Sequence, residues 1–249
     1  ADGPGGVRVT QHFTARNVET GKEQEVFHYC IAWPSGTVLA QSFDRSIAEA
    51  EGEGMRNDLA AMKIGIFLAP GINIQRNPLC GRNFEYYSED PLVAGEMAAA
   101  MVKGIQKDHK AVACIKHFAA NNQETNRNAN NSVVGQRALR EIYLEPFRLG
   151  VEKGDAMTIM TSYNKINGVP TADSYDLCTH IAREEWGFKG LIMTDWNGGS
   201  STPWKSMHAG NDLIMPGGES RVLNIKNGVG YIPPQFDERG NVLYMRTNA

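Results

Sequence analysis

Short, continuously apolar runs that end in polar groups constrain this chain more than any other feature. Candidate strands lie at Thr37–Gln41, Ile64–Ala69, Ala111–His117, Met157–Tyr163, Leu191–Asp195 and Asp212–Met215. A sheet with one wet face alternates apolar and polar residues, whereas several of these runs do not, so they read as parallel strands covered on both faces. Helical patterns separate them. Asp90-Pro91 opens one, with a capping carboxylate and Pro in the first turn, and its apolar stripe falls at Val93, Met97, Met101 and Ile105. Ser132 is placed to cap the next, which runs past Leu139, Ile142, Tyr143 and Phe147 and should kink at Pro146. Leu177, Ile181 and Trp186 share a face of a third that Gly187 can end, and Thr202-Pro203 opens a short helix that Gly210 can close.

Strands alternating with helices predict an α/β fold with a parallel sheet. Six strands in a chain of 249 residues favour a (β/α)8 barrel, whose usual length is about 250 residues. An open doubly wound sheet would carry a Gly-rich phosphate loop after its first strand, and none is present. The barrel is expected to be incomplete at its N-terminal end, because the first residues are loop-like. Residues 1–218 are expected to form the barrel domain. Residues 219–249, turn-rich and weakly periodic, are expected to be a tail, a linker or the start of a further segment.

Composition removes several function classes. A net charge of −3 with 21% charged residues gives no reason to expect nucleic acid or an anionic membrane as partner. No run approaches the roughly 18 apolar residues of a membrane-spanning helix. Cys30, Cys80, Cys114 and Cys178 form no C-x-x-C pair, which argues against a zinc knuckle or a disulfide scaffold and mildly favours a reducing, cytoplasmic setting. The start at Ala1, with neither initiator Met nor signal peptide, reads as a processed, excised or truncated terminus that leaves the compartment open.

In a barrel, polar residues at the C-terminal ends of strands reach the substrate. Four runs end this way: in Lys116-His117, in Ser162-Tyr163-Asn164, in Thr194-Asp195-Trp196, and in the stretch holding Asn73, Arg76 and Arg82-Asn83-Phe84-Glu85. Asp195 after Leu-Ile-Met-Thr emerges from a core run beside an indole, a pairing suited to sugar: aromatic faces stack on pyranose C–H groups and a carboxylate can attack an oxocarbenium-like centre. It reads equally well as a strand-end Asp capping the following helix, a common arrangement in α/β folds. Lys116 and His117 are adjacent, so on a regular strand they point to opposite faces, and one of them can be a satisfied structural side chain. Arg82 and Arg127 can simply pair with Glu85, Glu89 or Glu124. Asp2-Gly3-Pro4-Gly5-Gly6 is a turn by composition.

Together these segments resemble glycoside hydrolase family 3. The likeness runs from Asp2 to about Gly218 through Asp-Gly-Pro-Gly-Gly-Val-Arg at 2–8, Gly-Arg-Asn-Phe-Glu-Tyr-Tyr-Ser-Glu-Asp-Pro at 81–91 and Lys-His-Phe-Ala-Ala-Asn-Asn-Gln-Glu at 116–124. It continues through Arg-Ala-Leu-Arg-Glu-Ile-Tyr-Leu at 137–144, Met-Thr-Ser-Tyr-Asn at 160–164, Thr-Asp-Trp at 194–196 and Ala-Gly-Asn-Asp-Leu-Ile-Met-Pro-Gly-Gly at 209–218. The resemblance implies Asp195 as catalytic nucleophile, Trp196 as the aromatic beside it, and Asp2, Arg82, Lys116, His117, Arg127 and Tyr163 as groups that grip the reacting sugar. It implies a retaining, exo-acting β-glucosidase working by double displacement on a small carbohydrate, with no metal or organic cofactor. β-Xylosidase of the same family is the nearest alternative, because Lys116-His117-Phe118 continues as Ala-Ala-Asn-Asn-Gln-Glu and lacks the signature of the family's β-N-acetylglucosaminidases. The family also carries a second α/β domain that supplies the acid/base glutamate. None of Glu85, Glu89, Glu124 or Glu184 is nominated for that role, and a sugar-binding barrel fragment without turnover is the other reading.

Overall fold

The computed structural model describes residues 1–9, 13–26 and 29–229, with the backbone of a further strand pair, Gln235–Phe236 and Val242–Tyr244. An antiparallel hairpin, β1 (Phe13–Arg16) and β2 (Glu23–Val26), precedes helices α1 (Gly36–Gln41) and α2 (Arg45–Ala61). Then come β3 (Ile66–Phe67), a 3₁₀ turn at Asn83–Glu85, α3 (Pro91–Gln106) and β4 (Val112–Phe118). A two-residue strand β5 (Asn131–Ser132) leads to α4 (Gln136–Ala138), a π-helical stretch at Leu139–Tyr143, and α5 (Glu145–Glu152). β6 (Thr158–Thr161) is followed by β7 (Lys165–Ile166) and β8 (Val169–Pro170), which close a small side sheet with β5. A π-helix at Asp176–Glu185 precedes β9 (Leu191–Thr194), α6 (Pro203–Ala209) and α7 (Glu219–Gly228).

The main sheet runs β3-β4-β6-β9, all parallel, and single parallel bridges extend it on one side to Asp2 and on the other to Leu213. This is the arc of an incomplete (β/α)8 barrel. Its concave side holds Leu68, Cys114, Met160 and Met193, while the larger core, with Phe67, Ile115, Phe118, Phe147 and Ile159, lies between sheet and helices. α2, α3 and α5 form the outer wall. α3 starts as expected: Asp90 accepts from the amides of Leu92 and Val93 at 2.8 and 3.0 Å, and Met97, Met101 and Ile105 are buried. α2 and α3 cross at two glycines. A Cβ at Gly104 would stand 2.1 Å from the Glu49 carbonyl oxygen, and one at Gly52 would stand 2.5 Å from that of Met101.

Several expectations are corrected. Thr37–Gln41 is not a strand but lies in α1, where neighbouring Leu39 and Ala40 are both buried with Gly36, a helical rather than an alternating pattern. Asp212–Met215 contributes only a bridge between Leu213 and Met193. Ser132 does not cap a helix: it belongs to β5, and its hydroxyl donates to the Ala120 carbonyl. The break in the following helix falls at Leu144, ahead of Pro146, which has no N–H to offer the preceding turn and sits in the first turn of α5. Residues 219–228, expected to be turn-rich, form α7, and the Asn224 side-chain oxygen accepts from the Trp204 amide at 3.2 Å.

α2 escaped the sequence reading because its buried face consists of Ala48, Glu51, Gly52, Met55 and Leu59, too small and polar to read as an apolar stripe. Glu51 Oε1 has no hydrogen-bond partner among the described residues, and burial pushes the carboxyl up to about 7. The sign of the pH effect follows. Below the ordinary value of 4.5 the group is neutral in both the folded and the unfolded chain; between 4.5 and about 7 only the unfolded chain ionises, so stability is lost as pH rises. Glu51→Gln is therefore expected to add about 2 kcal/mol, or roughly 5 °C, at pH 8 and little at pH 4. Thermal melts at both values test this, and equal shifts would refute the assignment.

Candidate active site

The C-terminal ends of the parallel strands surround a cavity of about 1270 Å³. Its floor and walls follow from local geometry. The Gly3-Pro4-Gly5-Gly6 turn, closed by the Gly6 amide on the Gly3 carbonyl at 3.1 Å, reverses the chain so that Arg8 pairs with Asp2. Gly3 has a φ of +137°, and a Cβ there would lie 1.7 Å from the Gly6 oxygen, so the turn requires glycine. Asp2 bridges to Leu68 beside β3, with Oδ1 accepting from Lys116 Nζ and Oδ2 from Arg8. Burial would raise the Asp2 carboxyl, but Lys116, Arg8 and Arg82 hold it below its ordinary value.

At the end of β4 the register against β6 shifts between Lys116 and Phe118, so His117 is the extra residue of a bulge. Strict alternation therefore fails, and Lys116 and His117, 3% and 2% exposed, both line the cavity. Asn73 clamps the main chain here: its Oδ1 accepts from the His117 amide at 2.7 Å and its Nδ2 donates to the His117 carbonyl at 2.8 Å. Burial, reinforced by Arg82, Lys116 and Arg127, holds the imidazole well below its ordinary value, hence neutral.

Asp195 directly follows β9 and is 8% exposed. The capping reading of this residue is met, and the carboxylate also lines the cavity. Its Oδ1 caps the following turn by accepting from the Trp196 amide at 2.7 Å, while Oδ2 lies 4.0 Å from His117 Nε2. Burial pushes the carboxyl up, against the Trp196 amide, the Tyr163 hydroxyl, Lys116 and Arg82, all of which favour its charge. Trp196, 41% exposed, presents its indole at the cavity rim. Tyr163 follows β6, and the Arg127 guanidinium stacks 4.6 Å above its ring.

The arginines do have the carboxylate partners that surface pairing would supply, yet both also face the cavity. Arg82 Nε donates to Glu85, and Arg127 Nη1 donates to Glu124 Oε2 at 2.8 Å. All eight residues singled out in the sequence (Asp2, Arg82, Lys116, His117, Arg127, Tyr163, Asp195 and Trp196) thus line one space. The sequence reading missed Arg8, Tyr86 and Asn121 and gave Asn73 no task. Ser162 and Asn164, flagged at the same rim, instead bond the Ala119 carbonyl at 3.1 and 3.2 Å and tie loops together. The chemistry available is a desolvated carboxylate in a cavity lined by four basic side chains, a neutral imidazole and an exposed indole, which suits attack on an electrophilic carbon of a hydroxyl-rich ring.

Comparison with known proteins agrees with this geometry. The model of the glycosyl hydrolase family 3 N-terminal domain matches residues 6–227. β-Glucosidase A of Butyrivibrio fibrisolvens is 41% identical over 222 residues, covering 89% of this chain and 25% of that protein. An exo-α-(1→6)-L-arabinopyranosidase of Bifidobacterium longum is 42% identical over 239 residues, covering 95% and 31%. The structure of β-glucosidase 3B from Thermotoga neapolitana in complex with α-D-glucose superposes with a TM-score of 0.79 at 44% identity, covering 89% of this chain and 30% of that one. The chain therefore spans between about a quarter and a third of the length of these relatives. On the family model, the identity and the fold together, the chain belongs to glycosyl hydrolase family 3 and corresponds to its N-terminal domain.

Proposed function

We propose that this chain is the nucleophile-bearing part of a retaining, exo-acting β-glucosidase. The observation that carries the reading is Asp195, buried at the end of a barrel strand and facing a cavity walled by Asp2, Arg82, Lys116, His117 and Arg127. Asp195 attacks the anomeric carbon as the bond to the leaving oxygen breaks, and an acid protonates that oxygen. Water then opens the glycosyl ester, its proton passing to the same group and the sugar leaving with net retention. Tyr163 donates to Asp195 and favours its ionised form, while the cations bind sugar oxygens. Trp196 offers an apolar face to the ring.

The acid/base is assigned to a glutamate on a second α/β domain. Two features support this. The relatives are three to four times longer than this chain. Of the glutamates that line the cavity, Glu85 is bound by Arg82, and Glu124 by Arg127 and Asn121, and a carboxylate held by cations is a poor proton donor. Retaining chemistry would set that glutamate about 5–5.5 Å from Asp195.

In this reading Asp2 holds the 4- and 6-hydroxyls of glucose. A second reading, hydrolysis of a pentopyranoside, is favoured by the likeness to the arabinopyranosidase, and β-xylosidase falls in the same class. Asp2→Ala is expected to lower kcat/KM for an aryl β-glucoside roughly 10- to 100-fold, since each hydrogen bond to a charged group is worth about 1.5–3 kcal/mol. Lys116→Ala should do the same. For an aryl α-L-arabinopyranoside or β-xyloside, which lack the exocyclic hydroxymethyl, the loss at Asp2 should be smaller. A parent enzyme that prefers the pentosides would favour the second reading, and changes within twofold at both positions would remove them from the sugar subsite.

A further inference from the structure

A line of hydrogen bonds runs behind the cavity from Arg127 to His117, and its polarity can be worked out from chemistry alone. Glu124, ion-paired through Oε2 to Arg127 at 2.8 Å, is an acceptor only. Its Oε1 lies 3.0 Å from Asn121, so the amide must present its NH₂ group there, which settles which way the Asn121 side chain is turned. The same nitrogen lies 3.2 Å from the Tyr86 hydroxyl and supplies its second N–H to that oxygen. The Tyr86 hydroxyl, having accepted from Asn121, has its own proton left for its other neighbour, His117 Nδ1, at 3.3 Å. Tyr86 is fully buried and burial pushes its phenol up, so the proton stays on the hydroxyl.

We propose that Tyr86, oriented by Asn121 and Glu124, is a positioning residue that fixes His117 in its Nε2–H tautomer. The ring then turns a donor into the cavity, toward Asp195 Oδ2 at 4.0 Å, and offers no lone pair there. A sugar hydroxyl lodged between the two accepts from His117 and donates to Asp195. The opposite tautomer would face the substrate with a lone pair and leave the buried Tyr86 hydroxyl proton unpartnered, which costs free energy. The charged and titratable groups around the imidazole are Arg82, Lys116, Arg127, Asp195 and Tyr86. The cations among them oppose its protonation, so the two neutral tautomers are the forms to be told apart.

The catalytic consequence rests on the glucosidase reading, but the tautomer does not, and two measurements separate them. Two-bond ¹H–¹⁵N spectra of the histidine rings in the 249-residue chain, with His117 assigned by His117→Gln, should show a bare Nδ1 and a protonated Nε2. Tyr86→Phe, which deletes only the hydroxyl, should convert that pattern to a mixture or to the Nδ1–H form, whereas Tyr87→Phe should leave it unchanged. In parallel, kcat/KM of Tyr86→Phe with a dinitrophenyl β-glucoside should fall on the order of tenfold, the worth of about one net hydrogen bond. A protonated Nδ1 in the parent chain overturns the proposal even if Tyr86→Phe does not fold. So does an unchanged spectrum in Tyr86→Phe, whatever happens to the rate. If the 249 residues show the expected tautomer but a form extended to the length of the relatives turns over no glucoside, this assignment stands and the glucosidase reading sinks instead.

Discussion

Replacing Asp195 by Asn should abolish glycosyl-enzyme formation while leaving the fold intact. Oδ1 of Asp195 caps the turn to Trp196, and an amide oxygen in the Asn variant can accept the same N–H, so the local backbone keeps its bond. What disappears is the carboxylate proposed as nucleophile. Loss of a covalent nucleophile costs on the order of 10⁴–10⁶ in kcat in hydrolases, far more than any change in sugar contacts. The measurement is direct. A 2-deoxy-2-fluoro glucoside with a good leaving group traps the intermediate, and peptide mapping locates the adduct. It should fall on the peptide containing Thr194-Asp195-Trp196 and be absent from the Asn variant. An adduct on Glu85, Glu124 or Asp2 would end the assignment. Asp2 is the instructive control, because Lys116 and Arg8 lower its pKa whereas burial raises that of Asp195. The carboxylate already satisfied by cations is the weaker base toward carbon.

The second large effect concerns the leaving group. General acid catalysis is worth roughly 10²–10⁴-fold, and a dinitrophenolate needs almost none of it. If the acid lies on another domain, the 249 residues alone should release dinitrophenol from the aryl β-glucoside and be nearly inert on cellobiose. Their rate should depend steeply on leaving-group pKa. A form extended to the length of the relatives should recover cellobiose hydrolysis and show a much flatter dependence. Efficient cellobiose cleavage by the 249 residues would mean that an acid lies among them, and Glu85, with Oε2 buried and unpartnered among the described residues, would be the first to examine.

How much of this was legible in the sequence differs by element. β4 and β9 were readable because parallel strands covered on both sides must be apolar throughout, and α3 because Asp90-Pro91 is a strong start signal. α1 was misread because five residues cannot show a period, and α2 was missed because close helix crossing favours glycine and alanine over large apolar groups. The site was legible where ordered strings carry it. Its supporting bonds were not, because they join residues far apart in the chain: Asn73 to His117 across 44 positions, and Tyr86 to His117 across 31. The bulge that turns both Lys116 and His117 inward was equally hidden, since local sequence does not mark a one-residue register shift.

The crossing of α2 and α3 at Gly52 and Gly104 has a bearing on protein engineering. Exchanging helical glycine for alanine is a routine way to gain thermal robustness, worth about 1 kcal/mol where space allows. Here a methyl would meet main-chain oxygens at 2.1 and 2.5 Å, and backbone cannot swing aside as a flexible side chain can. The helices would have to separate. Because α2 leads directly into β3 and α3 into β4, that separation would be transmitted to the two strands that set Asp2 against Lys116. These glycines therefore act as a spacer for the catalytic mouth. A library built to toughen the outer wall should spare them, and one built to admit bulkier sugars should start there.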